Sequence, residues 1–319
     1  MMDRVTHCKV LLTRYEESRY PVHHVEKLTF QGVGNKDVYN ITAPFFDEGK
    51  EIIAGRVESR DSEKSFVAFF EQAGDNWALM RDMPEFPLQD PFVTRIDGQL
   101  IFGGVDVSTD KAVRNTWRTV LYKGKTIQSL TPFFKGPIGM KDLRLGQMPN
   151  GTILVLTRPQ GKKGGRGKIG FLLLSKLEEL NIKMIEDAPL LEGHFAEGEW
   201  GGANEIHPLK NGNAGVLGHV AYFDGNGDRH YHSMIFTLDP LTGSHTPVEI
   251  IASRSDFLEG PSKRPDLKDI VFSGGAIRKN SRFILYAGTS DAEAQKIVLD
   301  DPFEKYEQRG VEDAISVSI

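Results

Sequence analysis

Cysteine is nearly absent from this chain of 319 residues, where Cys8 stands alone. One thiol excludes an intrachain disulfide framework and reads as an ordinary residue of a reducing compartment. Long hydrophobic runs are missing as well. No stretch approaches the roughly 20 apolar residues that a membrane-spanning helix needs. Met1 to Tyr20 is polar and charged throughout, so no signal peptide is expected and a cytoplasmic location is. Positive charge is not in excess either. The 39 Lys and Arg face 44 Asp and Glu, for a net charge of -5, which argues against nucleic acid or an anionic membrane as partner. Metal-ligand spacing is poor. The pairs His23-His24 and His230/His232 come without Cys or an HxxxH spacing and read as surface histidines, so no metal is expected. Helical period is scarce too, with LSKLEELNIKMIE the best candidate and a strand and loop its equal alternative.

What the chain does have is β pattern, and a hydrophobic content of 39 % that suits a globular protein with a substantial core. The clearest stretch is PEFPLQDPFVTRIDGQLIFGGV from Pro84 to Val105, two apolar runs around Asp97-Gly98. An Asp-Gly dipeptide so flanked is a strong hairpin signal. Four other stretches repeat the arrangement, turning at Asp47-Glu48-Gly49, Pro149-Asn150-Gly151, Lys210 to Asn213 and Lys279-Asn280-Ser281. Their second strands begin near Glu51, Gln99, Thr152, Gly215 and Arg282, a repeat of roughly 50 to 70 residues. Pieces such as SFVAFFEQ, TWRTVLYKG, IGFLLLSKL and HSMIFTLDP supply further strands for each repeat. The pattern predicts an all-β fold, a single five-bladed β-propeller over residues 1–319, with a pair of β-sandwiches as the alternative. Within residues 1–35, CKVLL and VEKLTF read as two strands. QGKKGGRGK reads as a solvated surface turn.

The polar residues fall at one end of every hairpin, before the first strand and after the second. Unit one gives Asn40, then Arg56, Glu58 and Arg60; unit two gives Asp90, then Asp106. Unit three gives Lys141, Asp142 and Arg144, then Arg158; unit four gives Asn204, Glu205 and His207, then His219. Unit five gives Ser273, then Ser290, Asp291 and Glu293. As inner strands of propeller blades, these ends would converge around one axis. So many charges are costly to crowd together unless they bind something. Lys141, Arg144, Arg158 and His219 form a candidate cationic pocket, since guanidinium forks suit phosphate oxygens. Asp90, locked against Pro91, is the candidate proton-transferring carboxylate. Asp90 with Glu205 or Asp142 would allow hydrolysis of a glycoside. Asp90 opposite the cationic pocket would instead allow phosphorolysis, and residue types alone leave both open.

These residues resemble those of glycoside hydrolase family 130, the β-1,2-mannoside phosphorylases and their relatives. The matching stretches are Asn40-Ile41-Thr42-Ala43, Gln89-Asp90-Pro91-Phe92, Lys141-Asp142, Leu217-Gly218-His219 and Tyr286 to Asp291. Gln89 and Phe92 depart from the Glu-Asp-Pro-Arg of that family and argue against membership proper. The chain more closely resembles the domain of unknown function 1861, with the mannosyltransferase-phosphorylases of glycosyltransferase family 108, through YNITAPF, GRVESRDSE, KDLRLGQMPNG and VFSGGAIR. The resemblance implies a five-bladed propeller and an inverting reaction on β-mannosides, with α-mannose 1-phosphate as product or donor and a sugar as acceptor. No cofactor is implied; inorganic phosphate would be a co-substrate. Asp90 would be the general acid. Lys141, Arg144, Arg158 and His219 would hold phosphate. Asn40, Arg56, Glu58, Asp142, Asn204, Glu205 and Asp291 would contact sugar. A hydrolase using Asp90 with Glu205 and a non-catalytic carbohydrate-binding propeller are the rival readings.

Overall fold

The computed structural model describes residues 5–108 and 116–307, and strands make up most of its regular structure. The five expected hairpins are all present. In unit one, Asp37–Tyr39 and Phe45–Asp47 both pair with Lys50–Glu58, so the inner strand is interrupted at the Asn40 to Pro44 stretch. Unit two pairs Gln89–Ile96 with Gln99–Ser108, and unit three pairs Arg144–Gln147 with Ile153–Thr157. Unit four pairs Trp200–Pro208 with Ala214–Phe223, and unit five pairs Asp269–Lys279 with Arg282–Thr289. Each second strand carries a third, and the four quoted pieces lie in those third strands: Ser65–Ala73, Thr116–Gly124, Gly170–Leu174 and Arg229–Leu238. The turns take the left-handed backbone their residues favour, with Asp97 at φ 51° and Gly98 at φ 73°.

The second strands are continuous apolar runs because both of their faces are buried. Side chains alternate across a strand, and here the two sets go to different clusters. Ile52 and Ala54 pack toward unit two beside Leu100 and Phe102, while Ile53 and Val57 pack toward unit five beside Tyr286. Ile101 meets Ile153 and Val155 of unit three. Leu154 and Leu156 meet Val216 and Val220 of unit four, and Leu217 meets Phe283 and Leu285 of unit five. Five clusters thus lie between neighbouring units, and the last returns from unit five to unit one. Hydrogen bonds do not close this circle: they form four sheets, with units four and five joined by two parallel pairs at His230 and Tyr231. The all-β expectation holds, and the cycle of apolar contacts is the arrangement that blades of a propeller require.

Both ends of the chain build unit five. Val22–Lys27 pairs antiparallel with Glu293–Asp300, so the N-terminal segment supplies its outer strand. CKVLL, however, is not a strand. It opens a helix, Cys8–Glu17, whose buried residues Cys8, Leu11 and Tyr15 recur at helical spacing and pack on unit four. VEKLTF is also split, its strand ending at Lys27. LSKLEELNIKMIE becomes a 3₁₀ turn, Leu177–Glu179, and a short helix, Ile182–Asp187, capped where Asn181 Oδ1 accepts the Met184 N–H. No helix among the described residues is long and apolar enough to cross a membrane.

The hairpin ends that carry the polar residues are irregular in a repeated way. Pairing skips Asp90-Pro91 in unit two, Asn204 in unit four and Gly274 in unit five. Such bulges re-aim a side chain out of the strand's alternation. Asn40, Asp90 and Asp142 also adopt positive φ, at 46°, 49° and 59°, a strained region that Asn and Asp tolerate best. In unit five the same position is glycine because no side chain fits. A Cβ on Gly274 would stand 1.6 Å from the Ile41 carbonyl oxygen. Gly274→Ala is expected to push units one and five apart and cost roughly 1–3 kcal/mol or more, read as a lowered urea midpoint.

Candidate functional site

Asn40, Arg56, Asp90, Lys141, His219 and Asp291 line one cavity of about 460 Å³. They come from all five units, brought together by the bulged and left-handed hairpin ends. Asp90 is buried, and its Oδ1 accepts from Asn40 Nδ2 at 2.8 Å and from Arg56 Nη1 at 3.2 Å. Burial alone would raise its carboxyl, but Arg56 first, then Lys141 and the Asn40 amide, hold it below the usual carboxylate range. Asp291 is the opposite case. Burial pushes its carboxyl up against the pull of Arg56, and the nearby Asp90 charge adds to the rise while Lys263 and Lys141 oppose it.

Arg56 lies over the Tyr39 ring at 4.9 Å and also binds Glu58 through Nε at 2.9 Å. Glu58 is 1 % exposed and does not line the cavity; its other oxygen binds Lys263. A run of alternating charges therefore leads from Asp90 through Arg56 and Glu58 to Lys263, and on to Glu63 at 3.1 Å. Its far end comes from the loop before unit five.

Asp142, Arg144 and Arg158 form a second buried cluster behind the cavity rather than in its wall. Asp142 stands 3.4 Å from Arg158 Nη1 and 3.6 Å from Arg144 Nη2. Its carboxyl is held down to about 2, burial being outweighed by Arg158, Lys141 and Arg144. The two arginines spend their Nε donors on backbone, Arg158 on the Gly201 carbonyl at 2.6 Å and Arg144 on that of Asn204 at 3.0 Å. Arg144 is further pinned over the Phe92 ring at 4.7 Å, which gives Phe92 a role in this chain. Asn204 is buried, outside the lining, and its Oδ1 accepts from His219 Nδ1 at 2.9 Å. Burial pushes the His219 imidazole down to about 3, so it is neutral at pH 7, with Nδ1 carrying the proton and Nε2 an acceptor.

Glu205 is not placed with Asp90. Its Oε2 accepts the Ala276 N–H at 2.6 Å and pairs with His207 at 3.0 Å, away from the cavity lining. Other residues at the hairpin ends also turn elsewhere. Asp106 faces Arg118 at 3.6 Å, Arg60 binds Asp37, and Glu293 binds Lys27. Alternation explains Asp106, since the next residue, Val107, lines the cavity instead.

The cavity also holds residues that hairpin spacing did not single out. Lys263 and Arg264 come from the loop before unit five, Arg229 and Tyr231 from the third strand of unit four, and Ile270 and Phe272 from the inner strand of unit five. The Pro-bounded SKRP segment was the only sequence signal, and it reads as a loop. Lys141 and Arg229 are the lining cations that make no ion pair with a described residue, whereas Arg56, Lys263 and Arg264 are all paired. Among the described residues, no group of His, Cys, Asp and Glu could hold a metal ion. The site offers an ionised carboxylate, several cations and a neutral imidazole in one space.

A family model described as a protein of unknown function (DUF1861) matches residues 14–305. The structure is similar to that of a mannose phosphorylase from Leishmania mexicana in complex with a phosphate ion, with 36 % identity, 93 % of each chain covered and a TM-score of 0.86. It is also similar to a GDP-Man-dependent mannosyltransferase from Leishmania mexicana, at 30 % identity, covering 94 % of this chain and 96 % of the other, with a TM-score of 0.85. A β-1,2-mannobiose phosphorylase from Listeria innocua shares the fold, at 15 % identity, 90 % and 94 % coverage and a TM-score of 0.59. No curated protein matches the sequence.

Proposed function

The chain belongs to the DUF1861 family, and on that premise we propose that it is an inverting β-mannoside phosphorylase and mannosyltransferase. It would work in the cytoplasm as one propeller domain over residues 1–319, on β-1,2-linked mannosides. That it is an enzyme of the glycosyltransferase or phosphorylase type rests on the two relatives at 30 % identity and above. The observation that carries the finer reading is the placing, in one cavity, of the buried carboxylate Asp90 with Lys141 and Arg229, cations that have no ion-pair partner among the described residues. Water would need a second, ionised carboxylate as base. Glu205 is bonded elsewhere, and Asp142 is paired with Arg144 and Arg158 behind the wall. Asp291, which shares the cavity, is held up by burial against the ionised form a base requires.

In the proposed reaction a phosphate oxygen forms a bond to the mannosyl anomeric carbon from the face opposite the leaving sugar. The glycosidic C–O bond breaks, and the departing oxygen takes a proton from Asp90. The reverse reaction uses α-mannose 1-phosphate as donor, and Asp90 accepts the proton of the attacking hydroxyl. Lys141 and Arg229 hold the phosphate; Arg144 and Arg158 act from behind the wall, through their field and by fixing the Gly201 and Asn204 carbonyls. His219 Nε2, as an acceptor, suits a sugar hydroxyl or the protonated oxygen of hydrogen phosphate. Asn40, Arg56 and Asp291 remain for the sugar and for holding Asp90.

The test is to incubate the protein with mannose 1-phosphate and mannose and to follow inorganic phosphate. Release of phosphate is expected. Cleavage of mannobiose without added phosphate would replace the reading by a hydrolase, and binding without turnover by a carbohydrate-binding propeller. Phosphate itself should raise the melting temperature, since a ligand at 100 times its Kd stabilises the native state by about 2.7 kcal/mol. Lys141→Ala is expected to lose most of that shift; an unchanged shift would move the phosphate elsewhere.

A further inference from the structure

A strip of aromatic rings leads out of the cavity along unit four. Tyr231 lines the cavity, and its hydroxyl accepts the Trp200 Nε1–H at 3.0 Å. The Trp200 and Phe223 rings follow at a centroid separation of 4.8 Å. Phe223 closes the second strand of unit four, at the same end as the ring of polar residues, and is 37 % exposed. Two guanidinium groups bracket it. Arg229, from the cavity wall, lies 5.8 Å from its centroid, and Arg166, from the Gly- and Lys-rich loop of unit three, lies 5.0 Å away. Arg166 also covers Trp200 at 5.6 Å, and neither arginine has an ion-pair partner among the described residues. Past Phe223 opens a second hollow of about 330 Å³, lined by Arg166, Lys9, Glu197 and Glu199.

The chemistry of that path selects its occupant. The exposed part of the Phe223 ring and the guanidinium planes that flank it offer a stacking surface to a pyranose, with the guanidinium groups donating to its hydroxyls and the carboxylates accepting from them. The hollow sets Arg166 and Lys9 against Glu197 and Glu199, the latter paired with His7 at 3.3 Å, and this mixed lining favours a neutral ligand over a phosphate or nucleotide. The contacts of Arg229 with Phe223 and of Tyr231 with Trp200 join the lining of the hollow to that of the cavity and give the ligand a direction. We propose that the strip is an extension subsite for the second and later sugar units of an oligomannoside, which leaves the cavity between units three and four. The proposal rests on the mannoside reading above.

Calorimetric titration with mannobiose and mannotetraose tests it on the wild type, Phe223→Ala and Arg166→Ala, with phosphate release from mannose 1-phosphate measured in parallel. The wild type is expected to bind mannotetraose roughly tenfold more tightly than mannobiose, about the effect of one well-placed aromatic contact. Both variants are expected to lose that preference and keep the mannobiose affinity. The ratio of two ligands on one sample is insensitive to the fraction folded, and Arg166 sits on an exposed loop. A wild type with no chain-length preference, variants that keep it, or Phe223-dependent binding of a nucleoside diphosphate in place of mannotetraose would each overturn the subsite. Loss of the preference in the variants alongside absent phosphate release would leave the subsite standing and sink the phosphorylase reading.

Discussion

Asp90→Asn is expected to lower the rate of phosphate release by roughly 10²- to 10⁴-fold, the range of a positioned general acid or base. The substitution keeps the shape and an acceptor oxygen for Asn40 Nδ2 and Arg56 Nη1, and Arg56 retains Glu58. A folded but inactive protein is therefore expected, with the loss in kcat rather than KM. The pH dependence follows from the direction of the Asp90 shift. Held below the usual carboxylate range, Asp90 is ionised at neutral pH in the free protein. Phosphorolysis must nevertheless deliver a proton to the leaving oxygen. Ionised Asp90 with dihydrogen phosphate carries the same protons as neutral Asp90 with the dianion, so incoming phosphate can supply it. Its charge beside Lys141 and Arg56 also offsets the field that holds Asp90 low. The kcat/KM for phosphate should thus fall about tenfold per pH unit above the second ionisation of phosphate. A level profile across that ionisation would remove Asp90 from proton transfer.

The hairpins were legible because their turns need residues that few other places need. Asp97-Gly98 marks its turn through φ alone, and the five second strands mark themselves by apolar runs buried on both faces. The helix Cys8–Glu17 was lost because CKVLL is a short apolar run, and such runs do not distinguish strand from helix. The site was half legible for a similar reason. Spacing located the hairpin ends but not the direction of each side chain. It grouped Lys141 with Arg144 and Arg158, whereas Lys141 faces the cavity and the two arginines face Asp142 behind it. It also missed the cations Lys263 and Arg264, whose loop follows no repeat, and Arg229 and Tyr231, which open a third strand. Phe92, which departs from the glycoside hydrolase family 130 motif, finds its explanation in the Arg144 guanidinium it carries.

The Asp142 cluster yields the largest expected loss of stability. Asp142→Asn would leave Arg144 and Arg158, each 2 % exposed, without their shared counter-charge and beside Lys141. Removing one partner of a buried ion pair typically costs 3–5 kcal/mol, which at a few degrees per kcal/mol is a melting temperature lower by roughly 5–10 °C. The acid limb supplies an independent check. A carboxyl held down to about 2 in the folded protein contributes stability that is complete above its unfolded value, near 4. That contribution is lost as pH falls through the folded value. Between those limits the wild type should therefore lose stability that the variant has already lost, so the difference in melting temperature narrows on acidification. Asp106→Asn is the control. Its carboxylate is 40 % exposed and faces Arg118 at 3.6 Å, an arrangement worth about 0–1 kcal/mol. Equal, small effects for the two substitutions would mean that Arg144 and Arg158 do not depend on Asp142, and that the wall behind His219 is held by backbone carbonyls alone.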